Sequence, residues 1–171
     1  MKKENNVMPL DVSKIQTVDS IKMILKKLRN DKRKIVFTNG CFDILHIGHI
    51  NYLKASKQLG DILIVGVNSD ESIKRLKGEN RPINPIKNRV GVLEALMMVD
   101  YIVVFEEDTP LKLIMAIKPD TYTKGGDYDL NNVIGPGQGA SIIEDYGGKV
   151  HLIPLTEDIS TTIILSKEKN L

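Results

Sequence analysis

Between Lys34 and Leu59 a β-branched pair (Ile35, Val36) runs into Thr38-Asn39-Gly40-Cys41-Phe42-Asp43 and then into His46-Ile47-Gly48-His49. The pattern reads as strand, phosphate loop and helix start. A helix N-terminus presents unpaired backbone N–H groups and about half a positive charge, so it attracts anions without further machinery. His46 and His49, three apart, share one face of the first turn, and Gly48 removes the side chain that would block a phosphate's approach. A lone histidine here would be read as a surface or capping residue. Two of the chain's three histidines at this spacing behind a glycine loop favour a functional pair. Metal ligation is the lesser alternative, because no third protein ligand is evident nearby.

The 171 residues suit one domain with a core of its own. Lys and Arg number 24 against 22 Asp and Glu, so no gross field argues for nucleic acid or a membrane as the main partner. Cys41, the single cysteine, excludes an internal disulfide and a multi-cysteine metal site and is compatible with a reducing cytoplasm. The start, Met1-Lys2-Lys3-Glu4-Asn5-Asn6, has no apolar signal-peptide core, and no run is long enough to span a bilayer. A soluble, cytoplasmic protein is expected.

Along the chain, residues 1–16 read as a polar tail broken by Pro9, and 17–171 as a single domain made of an N-terminal helix (17–30) and a core (34–171). The spacing predicts strands at 34–38, 61–68, 101–105, 121–123 and 149–153. Helices are predicted after the histidine motif to Leu59, then at 69–77, 88–99, 109–117 and 141–146, with a last one from Ser160. In the 88–99 helix, Val92, Leu93, Leu96 and Met97 are expected inside. The stretch from Gly78 to Lys87 carries Pro82 and Pro85 and reads as a basic loop. Strands alternating with helices in this way predict an α/β, doubly wound, Rossmann-like parallel sheet of about five strands with helices on both faces, its crevice at the carboxyl ends of the strands. Gly135-Pro136-Gly137-Gln138-Gly139 follows no strand and is rejected as a dinucleotide loop.

With these motifs in hand, the chain resembles the nucleotidyltransferase superfamily that carries an HxGH signature. Asn68-Ser69-Asp70, Arg75-Leu76-Lys77-Gly78, Arg81-Pro82, Arg89, Glu106-Glu107-Asp108-Thr109-Pro110, Lys124-Gly125-Gly126-Asp127-Tyr128 and Ser160-Thr161-Thr162 resemble, in order, the adenylyltransferase domains of bacterial ADP-heptose synthesis. Leu155 stands where the similar glycerol 3-phosphate cytidylyltransferases carry an arginine ahead of the Ser-Thr-Thr run, which weakens the cytidylyl alternative. The Gly135–Gly139 turn looks longer than in the heptose family.

The resemblance implies transfer of AMP from ATP to a heptose 1-phosphate, with Mg²⁺ accompanying the ATP and a homodimeric assembly. A cytidylyl- or guanylyltransferase for another sugar or polyol phosphate is the alternative, and a non-catalytic nucleotide-binding module a third. His46 and His49 are assigned to the bridging and α/β-phosphate oxygens, and Lys77 and Arg89 to further phosphate clamping. For the nucleotide, Thr38 and Asn39 shape the loop, Cys41 and Phe42 offer backbone N–H groups, and Gly40, Gly48, Asn68, Lys124, Gly125 and Gly126 flank them. Ser160, Thr161 and Thr162 cap the final helix toward the phosphates. Asp43 and Asp127 are candidates for sugar hydroxyls, with an Asx turn an equal alternative for Asp43. No protein-held metal is expected.

Overall fold

The computed structural model describes residues 13–126 and 128–154. Its elements run β1 (Ile15–Gln16), α1 (Val18–Asn30), β2 (Ile35–Gly40), α2 (Ile47–Lys57), β3 (Ile62–Asn68), α3 (Asp70–Lys77), α4 (Ile86–Glu94), β4 (Tyr101–Phe105), α5 (Leu111–Ile117), β5 (Thr121–Gly125), α6 (Ser141–Glu144) and β6 (Lys149–Ile153). All strand pairs are parallel, in the order β1-β4-β3-β2-β5-β6. The chain steps from β2 through β3 to β4 on one side and from β5 to β6 on the other. The switch point therefore lies between β2 and β5, where a doubly wound sheet opens its crevice.

Alternation along the strands divides the core. Ile35, Phe37, Ile62 and Ile64 pack with Ile21 and Leu25 of α1 and Leu113, Ile114 and Ile117 of α5. Val36, Leu63, Val65 and Val67 face the other way onto Tyr52 and Leu53 of α2 and Val90 and Leu93 of α4. Successive side chains of a strand point to opposite faces, so an unbroken apolar run such as β3 needs helices on both. Gly66 interrupts that run for room, since a Cβ there would lie 2.8 Å from the Phe37 ring.

Two expectations are corrected. Ile15 and Gln16, read as tail, form a short edge strand in register with Ile102 and Val103, so the sheet has six strands among the described residues. The helix expected at 88–99 starts at Ile86 and ends at Glu94, leaving Val92 and Met97 exposed while Leu93 is buried. The helix expected from Ser160 lies outside the described residues.

Candidate active site

β2 ends at Gly40, and the chain turns through Phe42 in the left-handed region at φ 47°, a conformation that costs a bulky residue about 1 kcal/mol or more. Packing offsets that cost. The Phe42 ring is buried against Gly40, where a Cβ would come within 3.1 Å of it, and tilts over His49 at 5.3 Å. His46 is the N-cap of α2 but makes no side-chain capping bond, so the amides of the first turn are not served by a cap. The two imidazoles lie 3.9 Å apart between ring centroids, 38° from parallel.

His49 is half-buried, and its Nδ1 has no hydrogen-bond partner among the described residues. Burial, then His46, then Lys77 pull its pKa down to about 4. At neutral pH the ring is thus uncharged, a donor from one nitrogen, until an anion arrives.

These groups open onto a cleft of about 430 Å³. Of the expected site residues, the fold brings Asn39, Gly40, Cys41, Phe42, His46, Gly48, His49, Asn68, Lys77, Lys124 and Gly125 to its walls. Each stands at or just beyond the carboxyl end of β2, β3 or β5, at the head of α2, or at the tail of α3. Lys124 lies 5.0 Å over the Tyr128 ring and 3.4 Å from Asn39 Oδ1, which also accepts from the Tyr122 hydroxyl at 2.7 Å. Burial lowers the Lys124 pKa to about 8, with Cys41 acting in the opposite direction.

Lys124 carries a pH prediction. Its ammonium is intact below pH 8 and is lost above it, so affinity for a nucleotide triphosphate should be flat below pH 8 and fall above it. The slope is at most about tenfold per pH unit for one proton. Titration of ATP from pH 6.5 to 9.5 checks this; Lys124→Met should abolish the break and Cys41→Ser should keep it.

Four expected residues take other places. Thr38 is buried beneath the cleft, its hydroxyl 2.5 Å from the Tyr52 hydroxyl and donating to Thr123 O at 3.2 Å, with Ser56 2.9 Å from Thr123 Oγ1. This hydroxyl network ties β2, α2 and β5 together, so Thr38 supports the loop rather than lining it. Asp43 is only 3% exposed and is spent on the basic loop: it accepts from the Ile83 and Asn84 amides at 2.9 Å each and pairs with Arg81 at 2.7 Å. It has little capacity left for a sugar.

Arg89 is 2% exposed, and its guanidinium donates to Asn84 O (3.0 Å), Cys41 O (2.7 Å) and Asp70 Oδ1 (2.7 Å). It braces the phosphate loop from behind and does not reach the cleft. Gly126, at φ 107°, turns the chain after β5 and donates its N–H to Ile153 O. Asp127, Ser160, Thr161 and Thr162 lie outside the described residues.

The walls also include Tyr52, Leu76, Asp108, Pro110, Tyr128 and Ile134, which the sequence reading did not single out as site residues. Tyr52 follows His49 by three positions, the spacing that puts it on the same helix face. Leu76, Asp108, Pro110 and Tyr128 lie in motifs that carried the resemblance without a site role of their own, and Ile134 lies in none of them.

A family model described as cytidylyltransferase-like matches residues 37–167. The chain belongs to the cytidylyltransferase-like family. Within this family of nucleotidyltransferases it is 50% identical over 156 residues to the bifunctional protein HldE of Nitratiruptor sp., covering 91% of this chain and 32% of that one. It is 47% identical over 155 residues to the HldE of Syntrophotalea carbinolica, at 91% and 31%. The chain therefore spans 31–32% of the length of these relatives. Among solved structures, the lipopolysaccharide core biosynthesis protein of Thermoplasma volcanium matches with a TM-score of 0.59 and 34% identity, covering 74% of this chain and 99% of that one. A pantoate-beta-alanine ligase from Francisella tularensis shares the fold at a TM-score of 0.60 and 18% identity, over 92% of this chain and 72% of that one. No helix among the described residues is long and apolar enough to cross a membrane.

Proposed function

We propose that this cytidylyltransferase-like chain transfers AMP from ATP to a heptose 1-phosphate, releasing pyrophosphate and ADP-heptose. The observation that carries the reading is the His46–His49 pair at the uncapped head of α2, on a cleft whose cations, Lys77 and Lys124, stand at the ends of neighbouring elements. The choice of ATP and heptose comes from the ordered run of motifs resembling ADP-heptose adenylyltransferase domains.

In this reading an oxygen of the sugar phosphate attacks the α-phosphorus of ATP. The new P–O bond forms as the bond from the α-phosphorus to the bridging oxygen breaks, and that oxygen leaves with the pyrophosphate. A phosphate monoester is already mostly ionised at neutral pH, so no general base is required. Catalysis is then positioning plus stabilisation of the charge that grows on the bridging and nonbridging oxygens. His46, His49 and the first-turn amides of α2 meet those oxygens, while Lys77 and Lys124 hold the rest of the polyphosphate.

Mg²⁺ belongs to the reading as the partner of ATP. Among the described residues no group of three or more His, Cys, Asp or Glu side chains is set to hold an ion. The ion would be held mostly by phosphate and water, as Mg²⁺ prefers, and would neutralise charge on the polyphosphate. A cytoplasmic setting, with which the single cysteine is compatible, and a homodimer, which the family resemblance implies, complete the proposal.

The test is pyrophosphate release with each anomer of heptose 1-phosphate, in turn with ATP, CTP and GTP and with Mg²⁺. Turnover with ATP and one anomer is expected. Turnover with CTP or GTP alone would keep the chemistry and change the nucleotide, and release with none of them would overturn the assignment.

A further inference from the structure

Among the described residues Asp108 is the one carboxylate on a cleft otherwise lined by histidines, lysines and neutral groups, and nothing in the phosphate chemistry uses it. An ionised carboxylate only accepts hydrogen bonds, so phosphate oxygens repel it and hydroxyl groups suit it. Its place is built. The backbone ahead of it is held by Arg75, which donates to Glu106 O, and by Ser72, which donates to Glu107 O at 2.9 Å. Arg75 Nε also donates to Asp108 Oδ1 at 2.8 Å, while Oδ2 carries no hydrogen bond among the described residues. The side chain is 54% exposed, so it meets a ligand without first losing a buried partner.

Position assigns the ligand's half. The phosphate loop follows β2, and Lys124 lies near the carboxyl end of β5, the neighbour on the switch-point side, where the nucleotide belongs. Asp108 follows β4, on the opposite side of β2 and two strand spacings away, about 10 Å. The carboxylate stands at the β4 end of the same cleft and faces what enters from the β3–β4 side. Leu76 and Pro110 line the same cleft and offer apolar surface to the C–H face of a sugar ring.

We propose that the Asp108 carboxylate recognises the acceptor, taking hydrogen bonds from a vicinal diol of the sugar or polyol phosphate at the β4 end of the cleft. This rests on the nucleotidyl-transfer reading and names the residue that selects its acceptor. Arg75 fixes one oxygen and leaves the other to receive the diol.

The experiment compares wild type with Asp108→Asn and Asp108→Ala on whichever acceptor the wild type uses, from a panel of heptose 1-phosphate and glycerol 3-phosphate, each with ATP and CTP. Both acceptors carry a vicinal diol. Asp108→Asn should raise the acceptor KM about tenfold or more, the size expected when a charged acceptor of hydroxyl hydrogen bonds is replaced. The nucleotide KM and kcat at saturating acceptor should stay within about twofold of wild type, and the thermal midpoint within about 4 °C of it.

A deoxy acceptor lacking one hydroxyl of the diol should lose affinity in wild type and lose little more in Asp108→Ala, because the deletions remove the same bond. Loss of discrimination between ATP and 2′-deoxy-ATP would place the diol on the nucleotide ribose and overturn the proposal. A changed Mg²⁺ requirement with an unchanged acceptor KM would make Asp108 a metal group and overturn it equally. Use of glycerol 3-phosphate in place of heptose phosphate would refute the heptose assignment alone, the Asp108 result still deciding this one. Wild-type silence on the whole panel would overturn both.

Discussion

Replacing His49 by Ala should lower kcat by about 10²- to 10³-fold while ATP affinity changes far less. That is the range seen when one preorganised donor to a developing charge is removed. The ring sits 3.9 Å from His46 and against Phe42 at the head of α2, where packing holds it while its Nδ1 has no hydrogen-bond partner among the described residues. Steady-state kinetics with ATP and the acceptor separates the roles: loss confined to KM would mean ground-state binding and would refute a transition-state role.

A second readout comes from pH. Burial, then His46 and Lys77, hold His49 near pKa 4, against about 6.5 for an unperturbed histidine. Between those values the unfolded chain binds more protons than the folded one, so stability rises with pH across the window and is lost as pH falls below about 6.5. His49→Ala has no such proton to lose. Its thermal midpoint relative to wild type should therefore improve on going from pH 7 to pH 5, even as the enzyme is disabled. A purely structural histidine would show the same pH trend in stability with activity largely kept, so the loss of kcat is what separates the two.

The order of elements was readable because β2 and β3 alternate between two apolar faces and β3 is apolar throughout, a pattern only a sheet covered on both sides satisfies. The cleft's phosphate side was readable for a similar reason, since His46, Gly48 and His49 act through spacing on one helical turn. What resisted reading is direction over long range. Asp43 and Arg89 have the residue types of a hydroxyl binder and a phosphate clamp, yet their charges meet Arg81 and Asp70, 38 and 19 positions away, inside the protein. Ile15–Gln16 is too short to show alternation and is a strand only because β4 offers it an edge. Asp108 sits in the Glu106–Pro110 run that the resemblance picked out without giving it a site role, and its place on the cleft follows from β4's neighbours.

Arg89 offers the sharpest contrast between a residue type and its place. Arg89→Met should destabilise the fold by about 3 kcal/mol, because removing one member of a buried ion pair leaves the other uncompensated. The estimate takes the low end of that range because the Asp70 side chain is 29% exposed and regains some water. In a protein of this size the loss corresponds to a fall of about 6–12 °C in thermal midpoint. Cys41 O and Asn84 O lose their donors at the same time, so the phosphate loop and the basic loop both loosen. Asp70→Asn in the same chain should recover part of the loss, since the pair's charges are then removed together. The rise in midpoint on saturating ATP decides between bracing and clamping. As a brace, Arg89 should leave much of that rise in place while the ligand-free midpoint drops. As a phosphate clamp it would do the opposite, sparing the ligand-free protein and abolishing the rise.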